Sequence, residues 1–298
     1  MYKRTDVKVG FACNNHCTFC VQGDKREKFK ARTLKEITKI LDKEYMNGSK
    51  YVVFTGGEPT VHKDLIEVVA YAKKIGFRQI QIQSNGTNFD KIDYVKKLIN
   101  AGVTEFSPSI HGFKKETHDK QVKTQGAWEK VVKGLINLRK LNQIVIINSV
   151  VTLDNYKEIP ELAALLLKLR VNQFQFAFVH ILGSADKNKE LVVPRKKDVI
   201  PYIHKALDLA KNAKIPAYTE AIPYCLMQGY EWAIAENIMP ETSVHDAEYV
   251  IDSYADYRWS EGKAKREECK SCIKYNFCEG PWKEYPEMYG WDEFVPLK

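Results

Sequence analysis

Short apolar stretches of strand length alternate with longer stretches of helical periodicity, and this alternation restricts the fold more than any other feature of the sequence. Six strand–helix units follow one another at intervals of roughly 25–45 residues, which predicts a parallel sheet with right-handed crossovers. A closed barrel of this kind needs eight units, so six predict an open, partial α/β barrel. The predicted strands are 6–9, 51–54, 79–83, 105–110, 143–152 and 173–179.

The predicted helices lie between these strands. The first begins at Thr33, because Thr33 and Glu36 have the spacing of a capping box and an apolar helical pattern follows. The later ones are 63–74, 91–101, 128–141 and 160–169. Beyond residue 183 the pattern changes to a charged linker, a long helix at 198–212, a strand near 217–221 and a short helix at 229–237. We therefore divide the chain into a core (1–183), a linker with its helix (184–216) and a C-terminal extension (217–298).

Three cysteines stand close together near the start of the chain, Cys13, Cys17 and Cys20. Their CxxxCxxC spacing suits three corners of a cubane 4Fe–4S cluster, which normally takes four thiolates. One iron would then keep an open position, where the amine and carboxylate of S-adenosylmethionine (SAM) can bind. Zinc is the alternative, although zinc prefers four ligands arranged in closer pairs.

This cysteine motif, with aromatic Phe19 before its last cysteine, resembles the signature of the radical SAM superfamily. The turn Gly56-Gly57-Glu58-Pro59 resembles a second motif of that family. The resemblance covers roughly residues 5–182. It implies a (β/α)6 partial barrel that binds a 4Fe–4S cluster and SAM, and cleaves SAM reductively to a 5′-deoxyadenosyl radical.

The polar, turn-like sequences follow the predicted strands, and ligands of parallel α/β proteins bind at the carboxyl ends of strands. Gly56 and Gly57 let backbone approach a ligand closely. The resemblance implies that the turn containing Glu58 accepts hydrogen bonds from the SAM ammonium group. Ser84 and Asn85 resemble a Thr-Asn-Gly sequence that the family often has at this place.

Three further residues are predicted to contact SAM. By analogy with the family, Ser109 contacts the carboxylate or the ribose. Relatives often have an arginine soon after this point, and Lys123 is the nearest candidate here. Asn148 is a polar residue within an apolar strand and is predicted to face the pocket, because buried polar groups need partners. Three histidines can be catalytic or structural, and we favour structural roles for them: His111, His118 and His180.

Four cysteines remain in the last third of the chain: Cys225, Cys269, Cys272 and Cys278. Four thiolates fully ligate a second 4Fe–4S cluster. The Cx2Cx5C sequence resembles the SPASM and Twitch extensions of radical SAM enzymes, and the absence of a further cysteine favours one auxiliary cluster of the Twitch type. Zinc is one alternative for this site. In another, Cys225 is free and donates a hydrogen atom.

Composition narrows the class of protein. Hydrophobic content of 44% with 28% charged residues is ordinary for a soluble globular protein. No apolar run approaches the ~20 residues of a membrane span, and no export signal begins the chain, so we predict a cytoplasmic protein whose cysteines bind metal. The net charge of +8 comes from scattered lysines, which argues against nucleic acid and leaves an anionic substrate or acidic partner as the lesser alternative.

The resemblance implies a choice between two substrate classes. Modification of a ribosomally made peptide ranks first, and transformation of a small metabolite in cofactor or natural-product biosynthesis ranks second. Only a dozen residues precede Cys13, which leaves no room for an N-terminal leader-binding domain. This weakens the first option without removing it, because a separate protein can supply leader recognition. A reducing partner such as flavodoxin or ferredoxin is expected. A non-enzymatic metal-binding adaptor is a remote alternative, because it leaves the Gly-Gly-Glu-Pro turn unexplained.

Overall fold

A computed structural model describes residues 3–298 of the chain. Within these residues, nine strands form one sheet in the order β7-β6-β5-β4-β3-β2-β1-β8-β9. The strands are β1 (Lys3–Gly10), β2 (Tyr51–Gly56), β3 (Gln79–Ser84), β4 (Glu105–Pro108), β5 (Ile144–Val151), β6 (Gln173–Phe178), β7 (Ala217–Glu220), β8 (Glu241–His245) and β9 (Val250–Ile251).

The sheet is an open barrel, as the strand–helix alternation predicts. Strands β1 to β7 lie side by side in chain order and are parallel, and β8 pairs in parallel with the free edge of β1. Among the strands of the described residues, only β9 runs antiparallel to its neighbour. Within residues 3–298 no ladder joins β7 to β8 or β9, so the sheet does not close. The six predicted strands are present, and the sheet is longer than predicted because β7 and β8 extend its two edges.

Helices follow the strands and pack on the outer face of the sheet. Thr33 caps the first helix: its side chain accepts from the Glu36 amide, and the Glu36 side chain accepts from the Thr33 amide. The helices are α1 (Leu34–Met46), α2 (Leu65–Ile75), α3 (Ile92–Ala101), α4 (Lys115–Val122), α5 (Ala127–Lys140), α6 (Ile159–Lys168), α7 (Ser184–Lys187), α8 (Lys189–Val192), α9 (Lys196–Ala213), α10 (Tyr254–Tyr257) and α11 (Glu284–Tyr289).

The two faces of the sheet differ in polarity. On β1, Val7 and Val9 are buried toward the helices, whereas the alternate side chains of Asp6 and Lys8 are only partly buried on the inner face. Strand β3 repeats this arrangement, with apolar Ile80 and Ile82 outward and glutamines inward. Because successive side chains of a strand point to opposite faces, the barrel has an apolar outer core and a polar interior.

The aromatic C-terminal tail packs back on the barrel. The Tyr285 ring is 1% exposed and lies edge-on to Phe178 of β6, with ring centroids 5.5 Å apart. Its hydroxyl accepts from the Lys196 amide at 2.7 Å, and Arg195 forms an ion pair with Glu293. The tail is therefore joined to the start of α9 by apolar and polar contacts. No helix within residues 3–298 is both long and apolar enough to cross a membrane.

Candidate active site

A cavity of about 220 Å³ opens at the carboxyl ends of β1 to β4. The loop after β1 supplies one wall and the ends of the next three strands supply the others. Eight of the residues predicted from the sequence line this one cavity: Cys13, Cys17, Cys20, Gly56, Gly57, Ser84, Asn85 and Ser109. Lys8, Asn15 and Arg26 also line it. These were not singled out in the sequence, where nothing distinguishes them from other polar residues.

Backbone contacts hold the Gly-Gly-Glu-Pro turn against the cysteine loop. The Gly57 amide donates to the Gly10 carbonyl and the Glu58 amide to the Ala12 carbonyl, each at 2.8 Å. A Cβ atom on Gly57 would lie 2.4 Å from the carbonyl oxygens of Phe11 and Ala12. Glycine is therefore required here by the approach of two protein segments, and not only by the approach of a ligand, as predicted from the sequence.

The Glu58 carboxylate joins the ends of β2 and β3. Its Oε1 accepts from the Thr60 amide, the Thr60 hydroxyl and the Ser84 hydroxyl at 2.9, 2.5 and 2.7 Å, and its Oε2 accepts from the Asn85 amide at 2.6 Å. Glu58 is 2% exposed. Burial raises the pKa of this carboxyl group, and the hydrogen bonds oppose that shift. All these donors belong to the protein, so the Glu58 side chain organises the cavity wall.

The cysteine loop also receives side-chain contacts. The Asn85 amide group donates to Asn14 Oδ1 at 2.6 Å and approaches Cys13 Sγ at 3.8 Å. The backbone amide of Asn15 donates to the same sulfur at 3.4 Å. Helix α4 supports the loop from the other side, where His16 and Thr18 donate backbone hydrogen bonds at 2.9 Å to the carbonyls of Val122 and Gln121.

Two histidines, His111 and His118, line the cavity beside the cysteines. Their rings are stacked with centroids 5.8 Å apart, and the Phe19 ring lies edge-on to His111 at 4.7 Å. Burial lowers the pKa of His111 well below its usual value and lowers that of His118 to about 4. Both imidazoles are therefore neutral near pH 7.

Three other residues named in the sequence analysis, Phe19, Asn148 and Lys123, do not line the cavity. Phe19 is buried behind its wall against His111. Asn148 bridges to Ser109 between β5 and β4, and its Oδ1 is buried without a partner within residues 3–298. Lys123 is exposed at the end of α4, with φ of 50°, and does not line the cavity. The SAM contact predicted for Lys123 is not supported by this position.

The four C-terminal cysteines surround a second cavity, between the segment after β7 and the tail. Cys225 follows Pro223 and Tyr224 on one side, and the other three cysteines belong to residues 269–278. Trp291 and Phe294 of the tail complete the wall. Beside Cys278, the Glu279 carboxylate accepts two hydrogen bonds from Arg258, at 2.8 and 2.9 Å, and pairs with Lys263 at 2.9 Å.

Comparison with known proteins identifies the family. The family model described as the radical SAM superfamily matches residues 7–166, which is more than half of the chain. The chain belongs to the radical SAM superfamily. The matched region contains the cysteine loop, the Gly-Gly-Glu-Pro turn and strands β2 to β5, so the first cavity lies within it.

Two curated relatives of this radical SAM protein come from Methanosarcina barkeri. Fe-coproporphyrin III synthase is 30% identical over 194 residues, covering 64% of this chain and 48% of its own length. AdoMet-dependent heme synthase is 29% identical over 238 residues, covering 79% of this chain and 66% of its own. The chain thus spans about half to two thirds of the length of these relatives.

Solved structures show the same fold over nearly the whole radical SAM chain. SuiB of Streptococcus suis bound to S-adenosylmethionine has a TM-score of 0.67 and 16% identity, covering 93% of this chain and 72% of SuiB. The enzyme anSMEcpe with bound AdoMet and a peptide has a TM-score of 0.64 and 16% identity, covering 95% of this chain and 89% of its own. At this identity the likeness concerns the fold alone.

The first cavity of the radical SAM protein fits a 4Fe–4S cluster by its donors. Three thiols face one space, and two N–H groups approach Cys13 Sγ, which suits a thiolate ligand. Burial raises the pKa values of Cys13 and Cys17, so the thiolates need a cation to balance their charge. Within residues 3–298, no three His, Cys, Asp or Glu side chains converge closely enough to hold a single metal ion.

The second cavity offers four thiols, the number that a fully ligated cluster requires. Burial, together with the nearby Cys278 and Cys269, raises the pKa of Cys225 to about 12. The Leu297 amide donates to Cys272 Sγ at 3.3 Å. This donor set fits a second cluster. That the site holds a cluster, and not zinc, is a prediction.

Proposed function

We propose that the protein cleaves SAM reductively and abstracts a hydrogen atom from a second substrate. The observation that carries this proposal is the convergence of Cys13, Cys17 and Cys20 with the Gly-Gly-Glu-Pro turn and the polar ends of β3 and β4 in one cavity. Cys13, Cys17 and Cys20 would hold a 4Fe–4S cluster, which would supply the one electron needed to cleave SAM to methionine and a 5′-deoxyadenosyl radical.

The residues of the cavity have separate roles in this proposal. The three cysteines hold the cluster, and the Asn15 and Asn85 donors stabilise the Cys13 thiolate. Gly56, Gly57 and Glu58 fix the position of the cysteine loop. Ser84, Asn85 and Ser109 supply polar groups for SAM, since they line the same space. Lys8 brings a cation to the cavity, where Asp6 balances it at 2.9 Å.

We propose that Cys225, Cys269, Cys272 and Cys278 hold one auxiliary 4Fe–4S cluster, as in a Twitch-type extension. Their arrangement around one cavity supports this assignment. Four thiolates leave no open iron, so the auxiliary cluster would transfer electrons or stabilise the fold and would not bind substrate. A reducing partner such as flavodoxin or ferredoxin would deliver the electrons in the cytoplasm.

For the substrate, modification of a ribosomally made peptide is the first candidate. The fold similarity to SuiB, also solved with its precursor peptide SuiA, and to anSMEcpe with bound peptide covers 93–95% of this chain, including the C-terminal extension. Transformation of a small metabolite is the second candidate. It is favoured by the sequence similarity to the coproporphyrin and heme synthases, which reaches 79% of the chain.

The test of SAM cleavage uses anaerobically reconstituted protein with dithionite. We expect wild-type protein to form 5′-deoxyadenosine and the variant with Cys13, Cys17 and Cys20 all changed to alanine to form none. That variant should keep about four irons at the second site. Undiminished 5′-deoxyadenosine formation by the triple variant would overturn the proposal.

The substrate class is tested by whether a candidate substrate stimulates SAM cleavage. A peptide encoded beside this gene and an iron coproporphyrin are each added to the reconstituted enzyme, and 5′-deoxyadenosine is measured with and without them. Peptide modification predicts stimulation and a mass change by the peptide alone. Stimulation by the porphyrin alone would contradict peptide modification and favour the second candidate.

A further inference from the structure

The wall of the first cavity contains two imidazoles whose Nδ1 atoms are both occupied by the protein. The backbone amide of Val150 donates to His111 Nδ1 at 3.1 Å. The backbone amide of His111 donates to His118 Nδ1 at 3.0 Å. These two hydrogen bonds link β5 to the loop after β4, and that loop to helix α4, and the series ends at His118.

These bonds fix the tautomer of both rings. A backbone N–H can only donate, so each Nδ1 must be an acceptor without a proton. A neutral imidazole then carries its proton on Nε2 and offers an N–H donor there. His111 and His118 therefore present Nε2–H groups as their remaining hydrogen-bonding capacity.

Among residues 3–298, the Nε2–H of His118 has no hydrogen-bond partner. His118 is 1% exposed, and its Nε2 atom is itself buried. Buried polar groups in folded proteins are nearly always paired, because an unpaired donor is unfavourable. His118 lines the cavity that contains the three cysteines. Its Nε2 is covered by neighbouring atoms, so a ligand in that cavity supplies the missing acceptor once the covering side chains shift.

We propose that His118, supported by His111, is a SAM-binding residue that donates its Nε2–H to an oxygen or nitrogen acceptor of SAM. The inference rests on the proposed function, since it assumes that SAM occupies the cavity. His118 then has the role predicted from the sequence for Lys123, which lies five residues farther along the chain and outside the cavity. The acceptor is either the carboxylate of the methionine moiety or an atom of the nucleoside.

Two substitutions separate binding from structure at His118. In His118→Asn, the side-chain oxygen takes the place of Nδ1 and can still accept from the His111 amide, while the Nε2–H donor is lost. In His118→Gln, the longer side chain carries an N–H donor near the Nε2 position. If His118 has only a structural role, glutamine should weaken SAM binding more than asparagine does. If His118 binds SAM, asparagine should weaken SAM binding more.

The experiment measures SAM dissociation constants by equilibrium dialysis on protein with both clusters in place. We expect His118→Asn to weaken SAM binding about tenfold, the effect of one hydrogen bond, with an unchanged urea midpoint and unchanged iron content. His118→Gln should bind within about threefold of wild type. The matched control is His204→Asn, because His204 Nε2 is also buried without a partner among the described residues but lies outside the cavity.

The outcomes distinguish this inference from the proposed function. Failure of wild-type protein to bind SAM would overturn the proposed function, whereas equal binding by wild type and His118→Asn would overturn only the role of His118. Should neither variant fold, nitrogen-15 NMR of wild-type histidines still decides, since SAM must shift the His118 Nε2–H resonance. Titration with 5′-methylthioadenosine, which lacks the amino acid, identifies the acceptor: a loss seen with SAM alone indicates the carboxylate, and a loss with both indicates the nucleoside.

Discussion

Gly56 has to satisfy two physical requirements at once. Its φ of 126° lies outside the range that L side chains adopt easily, and a Cβ atom there would stand 2.1 Å from the Gly10 carbonyl oxygen. Gly126 shares a positive φ, of 75°, but has open space around its Cα. Comparing Gly56 with Gly126 therefore separates the effect of the positive φ from the effect of the close contact.

We expect Gly126→Ala to lower the free energy of unfolding by about 1 kcal/mol, the effect of the positive φ alone. Gly56→Ala should lower it by about 3 kcal/mol or more, because the new methyl group also displaces β1 from the turn. Urea unfolding of metal-free protein measures both. Equal losses would mean that the contact with Gly10 relaxes freely.

The Glu58 carboxylate is tested by an isosteric change. Glu58→Gln places an NH2 group among four donors, so at least one hydrogen bond is lost and one donor is left unpaired. We expect a loss of about 2–4 kcal/mol in the free energy of unfolding. Glu105→Gln is the matched control, because Glu105 accepts from the Gln81 side chain at 3.0 Å within the same sheet, and it should lose about 1 kcal/mol. Similar losses in the two variants would contradict an organising role for Glu58.

At the scale of elements, β8 is attached to the barrel through a buried polar cluster. Glu44 of α1 lies 3.2 Å from His245 Nε2, and its other oxygen accepts from the Ser243 hydroxyl at 2.9 Å. The neighbouring His245 and Ser243 lower the pKa of Glu44 from 4.5 to about 2. The ionised carboxylate is thus more favourable in the folded protein than in the unfolded chain.

This shift predicts an acid-dependent loss of stability. The contribution of Glu44 is fully present above its unfolded pKa of 4.5 and is lost as the pH falls toward 2. Between pH 6 and pH 3, wild type should lose about 2 kcal/mol more than Glu44→Gln. Glu241→Gln, at an exposed position of the same strand, should follow the wild-type curve. Parallel curves for wild type and Glu44→Gln would contradict the role of this cluster.

The elements differ in how well the sequence predicts them. Helices α1 and α5 and strands β2 and β6 were predicted to within one or two residues, because each has a clear apolar period and glycine or a cap at an end. Helix α4 was missed because its sequence is almost wholly polar, and it is stabilised by contacts with the cysteine loop. Strand β8 was missed for a similar reason: only pairing with β1 and contact with Glu44 bury its Thr-Ser-Val-His sequence.

In the candidate site, too, local sequence patterns were predictable and features that depend on distant contacts were not. The cysteines, the Gly-Gly-Glu-Pro turn and Ser109 were predicted, since short motifs carry their chemistry in fixed spacing. His111 and His118 were named as candidates with structural roles favoured. Their tautomers were not predicted, because they depend on backbone hydrogen bonds, one of which comes from an amide 39 residues away. The position of Lys123 along the chain was not enough to predict a SAM contact. Lys123 stands at the end of α4, where its side chain is exposed to solvent.

At the scale of the whole molecule, Cys225 connects parts of the chain that are remote in sequence. It follows β7 and stands 44 positions before Cys269, with β8 and β9 between them. If these cysteines share a cluster, the cluster closes a long loop, which removes conformational entropy from the unfolded chain. Three cysteines in the first cavity and four in the second account for all seven.

We therefore expect Cys225→Ala to lose iron from the second site and to be cleaved faster by protease between residues 225 and 278. The core site should keep its iron and still produce 5′-deoxyadenosine. The reciprocal control is the triple variant of Cys13, Cys17 and Cys20, which should lose the opposite set of irons. Full iron and unchanged auxiliary-cluster spectra in Cys225→Ala would contradict the ligand assignment. In that case, failure to quench the substrate radical would identify Cys225 as a hydrogen donor, and zinc in the wild-type protein would identify a structural metal site.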